Sequence, residues 1–112
     1  MRNDIISDLI AHLRANSFLF SPYKADQDKK PPYFIYNVLR QTDIIGAVGG
    51  THTIEFVILF EIYHTSYKEI LELKDDFITA IYKFKRPIIE LVCEESYENE
   101  LYNQSIEVKF IL

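Results

Sequence analysis

The strongest constraint in this chain is an alternation of residue types that runs without a break from His52 to His64. His52, Ile54, Phe56, Ile58, Phe60, Ile62 and His64 fall on one side of an extended strand. Thr53, Glu55, Val57, Leu59, Glu61 and Tyr63 fall on the other. A helix would scatter these two sets around its circumference, so the period of two selects a strand. At ~3.3 Å per residue the strand spans roughly 40 Å. That is long for a 112-residue chain, so the strand is expected to bend or to project from the body as an arm.

The flanking segments supply what such a strand needs to pack. Ile5, Ile6, Leu9, Ile10 and Leu13 recur at helical spacing within 3–16, with Asn3 placed to cap the start. From Ser21 to Pro32 a polar, proline-bounded loop interrupts the pattern. Tyr33 to Arg40 is rich in aromatic and β-branched residues and predicts a strand. Asp43 to Gly50 is a connection, and all the glycines lie between Gly46 and Gly50. Ala25–Lys30 and Gly46–Gly50 carry no apolar anchor and are expected to be the least ordered internal segments.

Ser66-Tyr67-Lys68-Glu69 has the form of a capping box for a helix over 66–84, which Pro87 ends. Ile70, Leu73, Phe77, Ile81 and Phe84 form its apolar stripe. Ile89, Leu91 and Cys93 alternate with Glu90, Val92 and Glu94 in a further strand. A polar turn over 95–102 leads to a last strand over 104–112, with Ile106, Val108, Phe110 and Leu112 inward. The order α-β-β-α-β-β predicts a single α+β domain over 1–112. Its expected form is a four-stranded, mainly antiparallel sheet with both helices packed on one face.

Charge and composition narrow the function classes. Seventeen Asp and Glu against twelve Lys and Arg give a net charge of −5, which leaves no cation surplus for nonspecific DNA binding. No apolar run approaches the ~20 residues of a membrane helix, and no secretory signal is expected from the Met1-Arg2-Asn3-Asp4 start. The lone Cys93 excludes an internal disulfide and a cysteine-cluster zinc site, and its alternation predicts a buried thiol. Gly46-Ala47-Val48-Gly49-Gly50 lacks the Lys-Ser/Thr of a phosphate loop and precedes a strand, so it is a hairpin tip. His12, His52 and His64 are too dispersed to hold one metal. No His/Asp/Ser or Cys/His set stands at usable spacing, so no catalytic, cofactor-binding or metal-binding residues are expected and the chain is not read as an enzyme.

Two surface features remain. Glu90, Glu94, Glu95, Glu98, Glu100 and Glu107 crowd the final hairpin, with no Lys or Arg between Ile88 and Val108. They make either a solvated hairpin or an acidic lumen or docking surface facing something it must repel or let pass. The outward side of the long strand carries Val57, Leu59 and Tyr63. With helices on one side of the sheet only, these three are expected at a subunit interface, the alternative being that the Ser21–Pro32 loop folds over them.

Taken in order, the helix, the proline-rich loop, the Pro32–Val38 strand and the long strand running into Ser66–Glu69 resemble the small tail terminator or tail completion proteins of long-tailed bacteriophages and prophages. The aromatic-basic end of the second helix (Tyr82–Arg86) and the closing Tyr102–Phe110 strand extend the likeness over nearly the whole chain. The resemblance implies a non-enzymatic virion protein at the head-proximal end of the tail, assembled in the host cytoplasm. It implies a homo-oligomeric ring, commonly a hexamer, that caps the tail tube protein and offers a joining surface to the head connector. Genomic DNA would pass through its lumen without specific binding, and no membrane is involved. The alternatives are a head–tail connector (neck) protein and, from another class, a small dimeric α+β ligand-binding module.

Overall fold

β3 (His52–His64) lies at the centre of the sheet, paired on both sides, with its alternating side chains divided between the two faces. The computed structural model describes residues 2–22, 30–45 and 52–111. The other elements are α1 (Arg2–Ala15), β1 (Ser21–Pro22), β2 (Tyr33–Ile45), α2 (Tyr67–Tyr82), β4 (Ile88–Glu98) and β5 (Leu101–Ile111). Among the described residues no helix is long and apolar enough to cross a membrane. The expected disorder of Ala25–Lys30 and Gly46–Gly50 falls outside the described residues, apart from the exposed Lys30.

The strands form one five-stranded mixed sheet in the order β1-β2-β3-β5-β4, with β1 and β2 parallel and every other pair antiparallel. This corrects the expected four-stranded, mainly antiparallel sheet to a five-stranded mixed one with a parallel pair at its edge. The extra strand comes from the segment read as the start of a loop. Phe18 and Phe20 point into the core and Leu19 points out. That short alternation draws the chain alongside β2, where Ser21 and Pro22 pair with Ile35 and Tyr36. Two residues are too few for periodicity to reveal.

Ile54, Phe56, Ile58, Phe60 and Ile62 of β3 are buried in a single cluster with Ile5, Leu9 and Leu13 of α1 and Ile70, Phe77, Ala80 and Ile81 of α2. Phe20 sits among four rings: Phe60 at 5.0 Å, Phe34 at 5.4 Å, Phe77 at 5.5 Å and Phe18 at 6.2 Å between centroids. Most of these pairs are edge-to-face, the arrangement that the ring quadrupole favours.

β2 runs five residues past the expected Arg40 end, to Ile45, with a bulge between Val38 and Arg40. Among the described residues β5 joins β3 only from Glu55 onward, and the stretch from His52 to Ile54 pairs with β2. The hairpin thus extends past the described end of β5, in a molecule measuring 53 × 25 × 23 Å.

Local chemistry fixes the element ends. Beyond α1, Ser17 adopts φ 71°, the Ser17 N–H donates to Arg14 O and the Phe18 N–H to Leu13 O. This is a Schellman cap built without glycine, closed by the buried pair Leu13 and Phe18. At α2, Ser66 Oγ accepts from the Glu69 N–H as expected. Glu69 does not complete the box. Its carboxylate meets His64 Nε2 at 2.8 Å, while the Ser66 N–H donates to His64 Nδ1. An Nδ1 that accepts places the ring proton on Nε2, so one histidine ties the end of β3 to the start of α2.

β4 and β5 are longer than their expected 88–94 and 104–112 cores because the polar turn shrinks to two residues. Asn99 and Glu100 take φ 53° and 64° between the paired Glu98 and Leu101. Two positive φ values in a two-residue loop define a type I′ turn, whose second position favours glycine. Glu100→Gly should therefore raise stability by about 1 kcal/mol, seen as a higher urea midpoint with unchanged slope. A lower midpoint would contradict the turn geometry. Phe20→Ala should cost about 3–5 kcal/mol, whereas Leu19→Ala, at a side chain 58% exposed, should stay within about 0.5 kcal/mol. Equal losses in the two variants would contradict the placement of Phe20 at the core.

Candidate functional site

Cross-strand pairing settles which side chains share the face turned away from the main core. Val57 lies between Arg40 of β2 and Lys109 of β5, with Glu90 of β4 beyond. The next row is Asn37, Leu59, Glu107 and Val92, and the one after is Ile35, Glu61, Ser105 and Glu94. Tyr33, Tyr63, Asn103 and Ser96 follow. Both helices contribute to the cluster on the opposite face. The outer face therefore carries an apolar strip of Val57, Leu59 and Val92 edged by carboxylates.

The three expected interface residues differ in exposure. Val57 is only 5% exposed and lies outside the main core cluster, at the floor of a small hollow walled by Arg40, Glu90, Val92, Glu107 and Lys109. It was expected to face a neighbouring subunit; its own sheet neighbours already remove it from water. Leu59 and Tyr63 are half-buried. Leu59 lines a cavity of about 190 Å³ with Val92, Glu94, Ser105 and Glu107. Burial raises the Tyr63 phenol above its usual value, and the Glu61 and Glu98 carboxylates add to the rise. Beside it, Asn103 Oδ1 accepts from Ser105 Oγ at 2.8 Å and from Ser96 Oγ at 3.3 Å.

The acidic hairpin does not present one surface. Glu90, Glu94, Glu98 and Glu107 share the outer face, while Glu95 pairs with Gln104 on the helix side and Glu100 occupies the turn. Lys109 Nζ approaches Glu90 Oε2 at 3.8 Å, so the first of the acids has a cation beside it.

Sequence reasoning missed a second feature on the helix side. Tyr97 and Tyr102 are a cross-strand pair with ring centroids 4.5 Å apart, and Tyr67, the first residue of α2, lies 5.1 Å from Tyr102. The Tyr67 hydroxyl donates to Glu95 Oε2 at 3.0 Å, which raises its pKa. With Ser96 these residues line a cleft of about 320 Å³. The signal was the alternation Cys93, Glu95, Tyr97, hidden because 95–102 read as a turn.

Cys93 shares a side with Leu91 but is exposed, which corrects the expected buried thiol. The bulge between Ile88 and Glu90 turns Ile88 rather than Ile89 toward the core, and β4 is an edge strand with little cover. Partial burial raises the thiol pKa and the Lys74 ammonium lowers it. His12 Nε2 lies 2.7 Å from Ala80 O and its ring packs 5.4 Å from Phe84, so this histidine clamps α1 to α2. The His52 side chain lies outside the described residues. No three His, Cys, Asp or Glu converge as a metal set among the described residues.

No protein-family model matches this sequence, and no curated protein matches it.

The burial difference gives a direct test. Val57→Lys should lower folding stability by several kcal/mol, because it sets an ammonium in a site closed to water. Leu59→Thr, which keeps a strand-forming residue, should cost less than about 2 kcal/mol. Equal losses in denaturant melts would contradict the assigned burial. Tyr63 adds a pH test. Its phenol ionises more readily in the unfolded chain than in the folded one, so its contribution to stability is complete below pH 10.0 and is lost as pH rises beyond it. Tyr63→Phe should flatten that alkaline fall in melts taken across the range, and an unchanged fall would contradict it.

Proposed function

We propose that this protein is a structural assembly subunit that closes into a homo-oligomeric ring of the tail-terminator kind. In this reading the ring caps a polymerised tail tube and presents a joining surface to the head connector. One observation carries the reading: among the described residues the outer face of the sheet has no helical layer, and its strip of Leu59 and Val92 beside buried Val57 is only partly shielded. Full burial of a leucine contributes about 1.5–3 kcal/mol, and the half-buried Leu59 offers part of that before the cost of association. A ring needs a heterologous contact, in which two different surfaces meet. The outer face would serve as one of these surfaces and the projecting β2–β3 hairpin as the other.

Glu98 and Glu100, at the turn end of the hairpin and away from the Leu59–Val92 strip, suit a surface turned toward a lumen. Phosphate backbones are repelled by carboxylates, so DNA would pass without adhering. Buried in a dry contact, the same carboxylates would oppose assembly. A neck connector would draw on the same surfaces, and the tube separates the two roles. A terminator binds tube ends, whereas a connector needs the head vertex.

Sedimentation tests the reading, with wild type and Leu59→Thr compared at matched concentration with and without tubes of the tail-tube protein that this reading expects to be encoded beside it. The wild type should bind tube ends as rings, and Leu59→Thr should reduce end occupancy about tenfold or more, the equivalent of ~1.4 kcal/mol. The reading fails if no tail-tube gene neighbours this one, or if Leu59→Thr caps tubes like the wild type.

A further inference from the structure

The cleft at the start of α2 lies on the opposite side of the sheet from Leu59, away from the face proposed for ring closure. Tyr67 is 43% exposed and Tyr97 59% exposed, although each packs against Tyr102. Three rings held at contact distance yet open to water form an amphipathic surface, apolar on the faces and electron-rich. The carboxylate of Glu95 stands among them, with Oε2 taken by the Tyr67 hydroxyl and Oε1 without a partner among the described residues. No lysine or arginine among the described residues lines the cleft or pairs with Glu95.

We propose that the Tyr67–Tyr97–Tyr102 cleft is a docking site for an arginine side chain of a partner protein, with Glu95 as its counter-ion. The chemistry follows from the parts. A cation within ~6 Å of a ring centroid is attracted to the ring face, and tyrosine is among the better hosts. The guanidinium is planar and weakly hydrated, so it stacks on a ring and donates to a carboxylate at the same time; a lysine ammonium is a strongly hydrated point charge. The volume of about 320 Å³ lies at the small end of ligand pockets. The hairpin around the cleft adds a long-range attraction for a basic partner, because Glu94, Glu98 and Glu100 form no ion pair among the described residues. This inference holds whether or not the chain forms rings.

The test is a titration of the folded protein, followed by the tyrosine ring resonances, with acetyl-Gly-Arg-Gly-amide. The matching citrulline peptide keeps the shape and removes the charge, and the lysine peptide keeps the charge and removes the plane. The arginine peptide should shift Tyr67, Tyr97 and Tyr102 with a Kd on the order of millimolar, as expected for one side chain. The citrulline and lysine peptides should bind at least several-fold more weakly. Tyr97→Val and Glu95→Gln, both at exposed positions of β4, should each weaken the arginine peptide by about fivefold or more while the amide spectrum elsewhere stays unchanged. Leu59→Thr should leave the titration unchanged, which separates this site from ring formation. Equal binding of citrulline or lysine overturns the proposal, as do shifts confined to the outer-face acids, no shift at all, or Glu95→Gln behaving as the wild type.

Discussion

The fold depends on the packing of the inward side of β3. Ile54, Phe56, Ile58, Phe60 and Ile62 are each 8% exposed or less. β2 and β5 pair with the strand that carries this row, α1 and α2 bury residues in the same cluster, and β1 and β4 are held one strand further out. Phe60 illustrates the coupling: it touches Phe20 ahead of β1, Phe77 of α2 and Tyr36 of β2. Removing water from one row of side chains therefore fixes the exit of α1, the tilt of α2 and the start of β2 together. The Schellman cap at Ser17 belongs to the same arrangement, since its left-handed turn sends Phe18 and then Phe20 back under the helices.

The alternation that builds the inward row also builds its opposite. Wherever β3 turns a phenylalanine inward it must turn the next residue outward, and Val57 and Leu59 are apolar. Val57 is covered by long polar side chains from three neighbouring strands, among them the Lys109–Glu90 pair. The aliphatic stems of Arg40 and Lys109 suit that work, since such side chains lie along apolar surface while their charged ends stay in water. The carboxylates of β4 have a further consequence. Among the described residues β4 is an edge of the sheet, eleven residues long, with one side of its backbone unpaired. Charge on such an edge opposes strand-to-strand stacking with other chains. The acids thus disfavour open-ended pairing while leaving the outer face available for a closed contact.

How much of this was legible depends on the range of the interaction responsible. The bounds of β3, the cap at Ser66 and the strand at Tyr33 follow from local pattern, because burial on one face writes a period into the sequence. The order of helices and strands is legible for the same reason. β1 was not, since two residues carry no period and their pairing with β2 is set by Phe18 and Phe20. The extent of β4 was hidden because Glu95 to Glu100 are polar for reasons of exposure, while the turn itself needs only Asn99 and Glu100. The outward direction of Val57 was legible, but not its burial, which depends on side chains from β2, β4 and β5. Cys93 shows the reverse: its side of the strand was right, yet an edge position beyond the cover of α2 left it exposed. The tyrosine cleft unites residues 67, 95, 97 and 102 across three elements, a juxtaposition that only the register of β4 on β5 reveals.

The central claim is that the uncovered face of the sheet meets another copy of the chain around a closed axis. Imaging the protein bound at the ends of tail tubes tests this most directly, because averaged particles show both the symmetry and the face at each subunit boundary. The account predicts a closed ring in which Leu59 and Val92 lie within the boundary and Glu98 and Glu100 face the lumen or the free rim. Bound particles without rotational symmetry, or a ring whose boundaries leave Leu59 facing solvent in every copy, would contradict it.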